Sequence, residues 1–161
     1  MKFLFAITAL LCLSCSHTYY IVRHAEKADA TAGMSSDVPL SESGKKRAEQ
    51  IKKLMKDKKI AEIYSTNTIR TKTTAQPTAD HFKLSINNYG PRPDSAFINL
   101  LRSKNKNILV VGHSNTVDDV VNMLCGKKEV AGDLPETEYN KLFIVKKKGK
   151  KYLFMERSIY P

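Results

Sequence analysis

The chain has 161 residues, 42% of them hydrophobic and 27% charged. That supplies one core, leaves little for a second independent domain, and excludes a disordered or fibrous polypeptide. Lys and Arg number 27 against 16 Asp and Glu, a formal charge of +11, so any partner or substrate is more readily anionic than cationic.

Lys2 opens an apolar run from Phe3 to Leu13, short for a bilayer span and placed where an export signal lies. No later stretch is apolar enough to cross a membrane. Leu13-Ser14-Cys15-Ser16 closes the run and resembles the lipobox of bacterial lipoproteins, with Cys15 as the residue that would carry lipid. A plain cut after Ser16, with Ser14 two residues earlier, satisfies the small-x-small rule as well. Residues 1–16 are thus expected to be a signal, cut before Cys15 or after Ser16, and 17–161 a single domain. The implied location is the bacterial cell envelope, lipid-anchored through Cys15 or otherwise periplasmic or secreted. Cys12 and Cys15 belong to this region, which leaves Cys125 alone in the body of the chain and no disulfide framework.

The β-branched and aromatic run Thr18 to Val22 predicts a strand ending at Arg23-His24. A polar loop leads to Pro39, and Ser41 caps a helix with the apolar stripe Ala48, Ile51, Leu54 and Met55. Ile60 to Tyr64 is a second strand. Ser65-Thr66-Asn67 opens a helix through Ile69, Arg70, Thr73 and Thr74, and Pro77 is expected to kink or break it. Leu84 to Asn88 is weakly strand-like, and Asp94 caps a helix buried through Phe97, Leu100 and Leu101. Asn107 to Val111 is the clearest strand. Gly112-His113-Ser114 follows, then a helix from Thr116 to Cys125 stopped by Gly126, with Asp118 and Asp119 in its first turn expected at the surface or as caps. Asn140 to Arg157 reads as an antiparallel hairpin around Lys147-Lys148-Gly149-Lys150. Strands alternating with helices predict an α/β three-layer sandwich, a mostly parallel central sheet with helices on both faces and the hairpin at one side.

Lys45 to Lys59 holds eight basic residues against Glu49 and Asp57. Their spacing puts them on the wet face of an amphipathic helix, and no aromatic residues are interleaved for stacking. Nucleic acid is therefore not expected as a partner, whereas anionic headgroups would suit such a patch.

In an open α/β sheet, ligands collect beyond the carboxyl ends of the strands. The first strand ends in Arg23-His24, the second leads to Ser65 and Arg70, and the fourth ends in Gly112-His113. If these strands are neighbours, two arginines and two histidines share one pocket. Arginine offers a planar fork that matches phosphate oxygens, and histidine serves as nucleophile or hydrogen-bond donor. The set suits phosphoryl transfer through histidine.

Tyr20-Ile21-Val22-Arg23-His24-Ala25-Glu26-Lys27 resembles the opening signature of the histidine phosphatase superfamily, the phosphoglycerate-mutase-like fold. Leu40-Ser41-Glu42-Ser43-Gly44 is similar to the family's helix-opening segment. Tyr64-Ser65-Thr66 through Arg70-Thr71, with Thr74-Ala75-Gln76-Pro77, is similar to its second-arginine segment, and Val111 to Thr116 to its second-histidine segment. Order and spacing agree throughout, and the length resembles the compact phosphohistidine phosphatases. The resemblance implies a phosphatase acting on phosphomonoesters or phosphoamidates without metal or other cofactor. His24 would form a phosphohistidine, Arg23 and Arg70 would bind the phosphoryl oxygens, His113 would hydrogen-bond the transferring group, preferably as a cation, and Ser65 would orient an oxygen. The partner would be a small phosphorylated substrate or a phosphoprotein, with the membrane reached through Cys15.

Many relatives carry an acidic proton donor after the third strand. Here that region offers only Asp94, which also reads as a helix cap, so Glu26 two residues past His24 stands beside it as a donor. If neither serves, phosphoamidates, acyl phosphates and aryl phosphates become better substrates than alkyl phosphates. Two alternatives remain, a catalytically silent anion-binding lipoprotein and a phosphomutase. The second is disfavoured because little of the chain is left for a lid.

Overall fold

Ten elements follow one another in the described residues, 16–29 and 37–160, of the computed structural model. They are β1 (Ser16–Arg23), α1 (Glu42–Met55), β2 (Ile60–Thr66), α2 (Ile69–Phe82), β3 (Ile86–Tyr89), α3 (Ser95–Ser103), β4 (Asn107–Gly112), α4 (Val117–Cys125), β5 (Lys141–Lys148) and β6 (Lys151–Ser158). The signal and lipobox assignments fall on residues 1–16, of which 1–15 lie outside the described residues. Ser16, the next residue, already pairs with Lys148 as the first residue of β1.

The strands form one sheet in the order β3-β2-β4-β1-β5-β6. Its first four strands are parallel and the β5-β6 hairpin is antiparallel. Period-two alternation divides the core. Tyr19, Ile21, Ile108, Val110, Phe143 and Val145 face α3 and α4, where Phe97, Leu101, Val121 and Leu124 meet them. Tyr20, Val22, Leu109, Val111, Leu142 and Ile144 face the other way, against Ile51 and Met55 of α1 and Ala75 and Ala79 of α2. A strand covered on both faces needs apolar side chains at every position, and β4 supplies them in an unbroken run. The result is the expected mostly parallel three-layer α/β sandwich.

Four local expectations change. The helix does not break at Pro77, since α2 runs through it to Phe82. An interior proline forfeits a backbone hydrogen bond and costs about 3 kcal/mol, but Ala75, Thr78 and Ala79 are buried across that turn and hold the helix to the sheet. Leu54 and Leu100 are exposed rather than core. Gly44, Ala48, Ile51 and Met55 form the buried stripe of α1, and α3 buries Ile98 beside Phe97 and Leu101. The third strand begins later than expected, at Ile86, because Lys83 ends α2 in the left-handed conformation and Leu84 N donates back to Ala79 O. Asp118, expected at the surface or as a cap, is buried in the first turn of α4.

Register decides what the fold does next. Arg23 of β1 lies level with Gly112 of β4, and Ser65 of β2 with Val111. Three carboxyl ends therefore open on the same space.

Candidate active site

His24 N donates to Gly112 O at 2.8 Å, extending the β1-β4 ladder by one residue. This sets His24 beside His113, their rings edge to face with centroids 5.5 Å apart. Gly112 is required there. A Cβ on it would lie 2.7 Å from Tyr89 Oη and 3.1 Å from Val117 Cγ1, so a side chain would drive the strand end and His113 off β1. Thr74 Oγ1 donates to Arg70 O at 2.7 Å and accepts from Ala25 N at 2.9 Å, which ties the second turn of α2 to the loop after His24. Arg70 is thereby brought to the same site. Cut from adjacent strand ends and one helix start, the pocket is lined by Arg23, His24, Lys27, Arg70, His113, Ser114 and Glu136.

The hydrogen-bonding pattern sets the histidine tautomers. A carbonyl only accepts, so the 2.8 Å contact between His24 Nδ1 and Ala25 O puts the proton on Nδ1 and leaves the lone pair on Nε2. Burial, followed by the charges of Arg23, His113 and Arg70, pushes His24 down to about 3, although the Ala25 hydrogen bond opposes this. The ring is neutral at any physiological pH. In His113 the order reverses: Arg70 Nη2 approaches Nδ1 at 3.5 Å, so Nε2 bears the proton and donates to Thr66 Oγ1 at 2.8 Å. Burial first, then Arg70 and Arg23, pull His113 down to about 4. The expected cation is therefore a neutral ring beside two guanidiniums, and an approaching phosphoryl dianion is what would raise its proton affinity.

Arg23 is clamped from above by the segment between α4 and β5. Its Nη1 donates to Pro135 O, Glu136 O and Glu138 O at 2.9, 3.1 and 3.1 Å, and its guanidinium stands 4.2 Å over the Tyr139 ring. Leu134 N donates to Ser114 O at 2.8 Å, which folds this segment onto the site. The Glu136 carboxylate then bridges two groups, with Oε2 2.8 Å from Arg23 Nη2 and Oε1 2.9 Å from Ser114 Oγ. Little space remains. The cavity is about 10 Å³, room for roughly one water.

The sequence-derived residues divide into two groups. Arg23, His24, Arg70 and His113 come together. Ser65 is buried beneath them, its Oγ donating to Thr66 O at 2.9 Å, and it is Thr66 that reaches His113. Glu26 turns away into a fork with Arg47, whose Nε and Nη2 lie 2.9 and 2.6 Å from its carboxylate. Despite the opposing effect of burial, these hydrogen bonds hold the Glu26 carboxyl below its ordinary value, and it lines a neighbouring cavity with Tyr139 and Tyr160. Asp94 caps α3, accepting from Phe97 N at 2.8 Å. Sequence reasoning missed Glu136, Ser114, Lys27, Thr66 and Tyr139. Ser114 and Lys27 could have been found as neighbours of His113 and His24, whereas nothing around Glu136 marks it.

Residues 19–89 match the family model described as histidine phosphatase superfamily, branch 1. Among solved structures, SixA from Agrobacterium tumefaciens, assigned as a phosphohistidine phosphatase, shares 20% identity over 89% of this chain and 98% of its own, with a TM-score of 0.63. YhfR from Bacillus stearothermophilus shares 16% over 90% and 98%, with a TM-score of 0.66. Phosphoserine phosphatase from Entamoeba histolytica shares 13% over 90% and 98%, also with a TM-score of 0.66. At such identities these are likenesses of fold. No curated protein sequence matches the chain.

Proposed function

We propose that the chain, whose residues 19–89 match the histidine phosphatase superfamily (branch 1) model, is a member of that superfamily and hydrolyses phosphomonoesters or phosphoamidates through a phosphohistidine on His24. The observation that carries this reading is the His24 tautomer. With Nδ1–H committed to Ala25 O and the ring kept neutral, Nε2 presents its lone pair to the space bordered by Arg23, Arg70 and His113.

In the first step Nε2 bonds to phosphorus while the bond from phosphorus to the leaving oxygen or nitrogen breaks, and the leaving atom takes a proton. In the second, water attacks phosphorus, the P–N bond breaks, and phosphate leaves with His24 restored. Arg23 and Arg70 hold the negative charge that spreads over the phosphoryl oxygens. Lys27 adds a further positive charge at the rim, so the protein's own cations supply what a bound metal would otherwise contribute.

Glu136 is the carboxylate placed to handle the proton. A phosphoryl group entering the pocket competes for Arg23 Nη2 and Ser114 Oγ, both of which Glu136 now holds. Displaced, the carboxylate faces a dianion instead of a guanidinium, its proton affinity rises, and it takes a proton from solvent, gives it to the leaving group, and as a carboxylate again takes the proton of the attacking water.

The test is hydrolysis of para-nitrophenyl phosphate in EDTA by the full chain and by His24→Ala. Turnover that survives chelation and drops at least about a thousandfold in the variant is the expected result. A folded protein with no turnover on any phosphate would instead be the silent anion-binding form.

A further inference from the structure

We propose that the end of the sheet opposite the pocket is a docking face for an anionic phospholipid bilayer. The strands' amino ends and the connections beside them gather lysines that are scattered in sequence. The turn after α1 contributes Lys58 and Lys59, the turn before β4 contributes Lys106, and the β5-β6 turn contributes Lys148, Lys150 and Lys151, all exposed. They share one end because β1, β2 and β4 run parallel and start there, while the antiparallel hairpin turns there. Asn107 Nδ2 donates to Lys58 O and Thr18 N donates to Asn107 Oδ1, which links the α1 turn to β4 and β1. Lys147 Nζ reaches Arg102 O and adds the hairpin.

The opposite end is balanced by comparison. There Glu26 faces Arg47, Asp37 faces Arg70 and Glu136 faces Arg23; at the amino ends Glu62 pairs with Lys104 and Lys106, which leaves Lys58, Lys59, Lys148, Lys150 and Lys151 as the surplus of positive charge. Ser16 pairs with Lys148 at this end, and the apolar run Phe3 to Leu13 precedes it in the sequence. A basic surface at the strand end that follows an apolar segment is complementary to acyl chains beneath anionic headgroups. Nucleic acid fits less well. Tyr152 of the hairpin is half-buried, with Arg102 and Lys147 over its ring, so the face that bases would stack on is already taken up by cations. Docked this way, β1 runs away from the bilayer for its eight residues, about 25 Å, and the pocket faces outward to substrate.

The experiment is sedimentation of the full chain with phosphatidylcholine vesicles, with and without phosphatidylglycerol, at low and high salt. A second protein carries Lys58→Gln, Lys59→Gln, Lys148→Gln, Lys150→Gln and Lys151→Gln, with hydrolysis of a small aryl phosphate as its measure of folding. The native chain should partition more strongly to phosphatidylglycerol vesicles, in a salt-sensitive way, and the variant should lose about fivefold for each lysine removed while binding phosphatidylcholine like the native chain. Equal binding to both vesicle types, or a phosphatidylglycerol preference that survives in the variant, overturns the proposal. So does tighter binding to single-stranded DNA than to phosphatidylglycerol vesicles at matched charge concentration, which would reassign the face to nucleic acid.

Discussion

The Glu136 carboxylate meets the Arg23 guanidinium at 2.8 Å, on the side of the arginine that borders the His24 pocket. It comes from a segment 113 residues later in the chain and closes a cavity that is too small for phosphate while the pair is intact. Substrate binding and loss of this pair are then one event.

Glu136→Gln keeps the shape and removes the charge, so phosphate should inhibit the variant at several-fold lower concentration than the native protein. Turnover of an alkyl phosphate should fall by about two to four orders of magnitude, the usual contribution of a general acid, with an aryl phosphate much less affected. Equal losses on both substrates would remove Glu136 as the proton carrier.

Glu26→Gln separates the two carboxylates. Glu26 and Arg47 are largely buried, and Arg47 Nη1 also donates to Ile159 O at 3.1 Å, which joins α1 to the segment after β6. Leaving Arg47 without its partner should lower stability by about 1–3 kcal/mol and change alkyl and aryl turnover by the same factor. A loss confined to alkyl phosphate would return Glu26 to the donor's role.

Acid should destabilise the fold through its histidines. His24 and His113 are depressed to about 3 and about 4, and burial lowers His17 as well. Below the ordinary histidine value, 6.5, the unfolded chain takes up protons that the folded chain refuses, so stability present above that value is lost as pH falls. Between about pH 7.5 and about pH 5, denaturant titration should show a loss of roughly 1–2 kcal/mol for each of His24 and His113. His24→Ala should reduce that pH dependence, and an unchanged profile would mean that His24 is not held neutral.

Gly112→Ala should cost about 1–3 kcal/mol by overpacking and lower turnover further by displacing His113 from His24. Because the tightest contact is Tyr89 Oη at 2.7 Å, adding Tyr89→Phe should recover part of both losses. No recovery, measured by melting and kcat together, would place the clash at Val117.

Much of this protein is legible in residue order because the signals are local. The apolar runs of β1 and β4, the Ser41 and Asp94 caps and the lysine face of α1 depend on neighbours within a few residues. They yield the α/β layers and the placing of Arg23, His24, Arg70 and His113 at the starts or ends of elements. Pro77 misled because a local rule about proline yields to the burial of Ala75 and Ala79 on a sheet that sequence does not display. Glu26 lies two residues from His24, yet its carboxylate belongs to Arg47 on α1. Glu136 carries no motif and reaches Arg23 only because Leu134 pairs with Ser114 and folds the segment back. Which charges meet is a matter of packing across large sequence separations, and the tertiary structure alone decided it, for the pocket and for the lysines at the far end of the sheet alike.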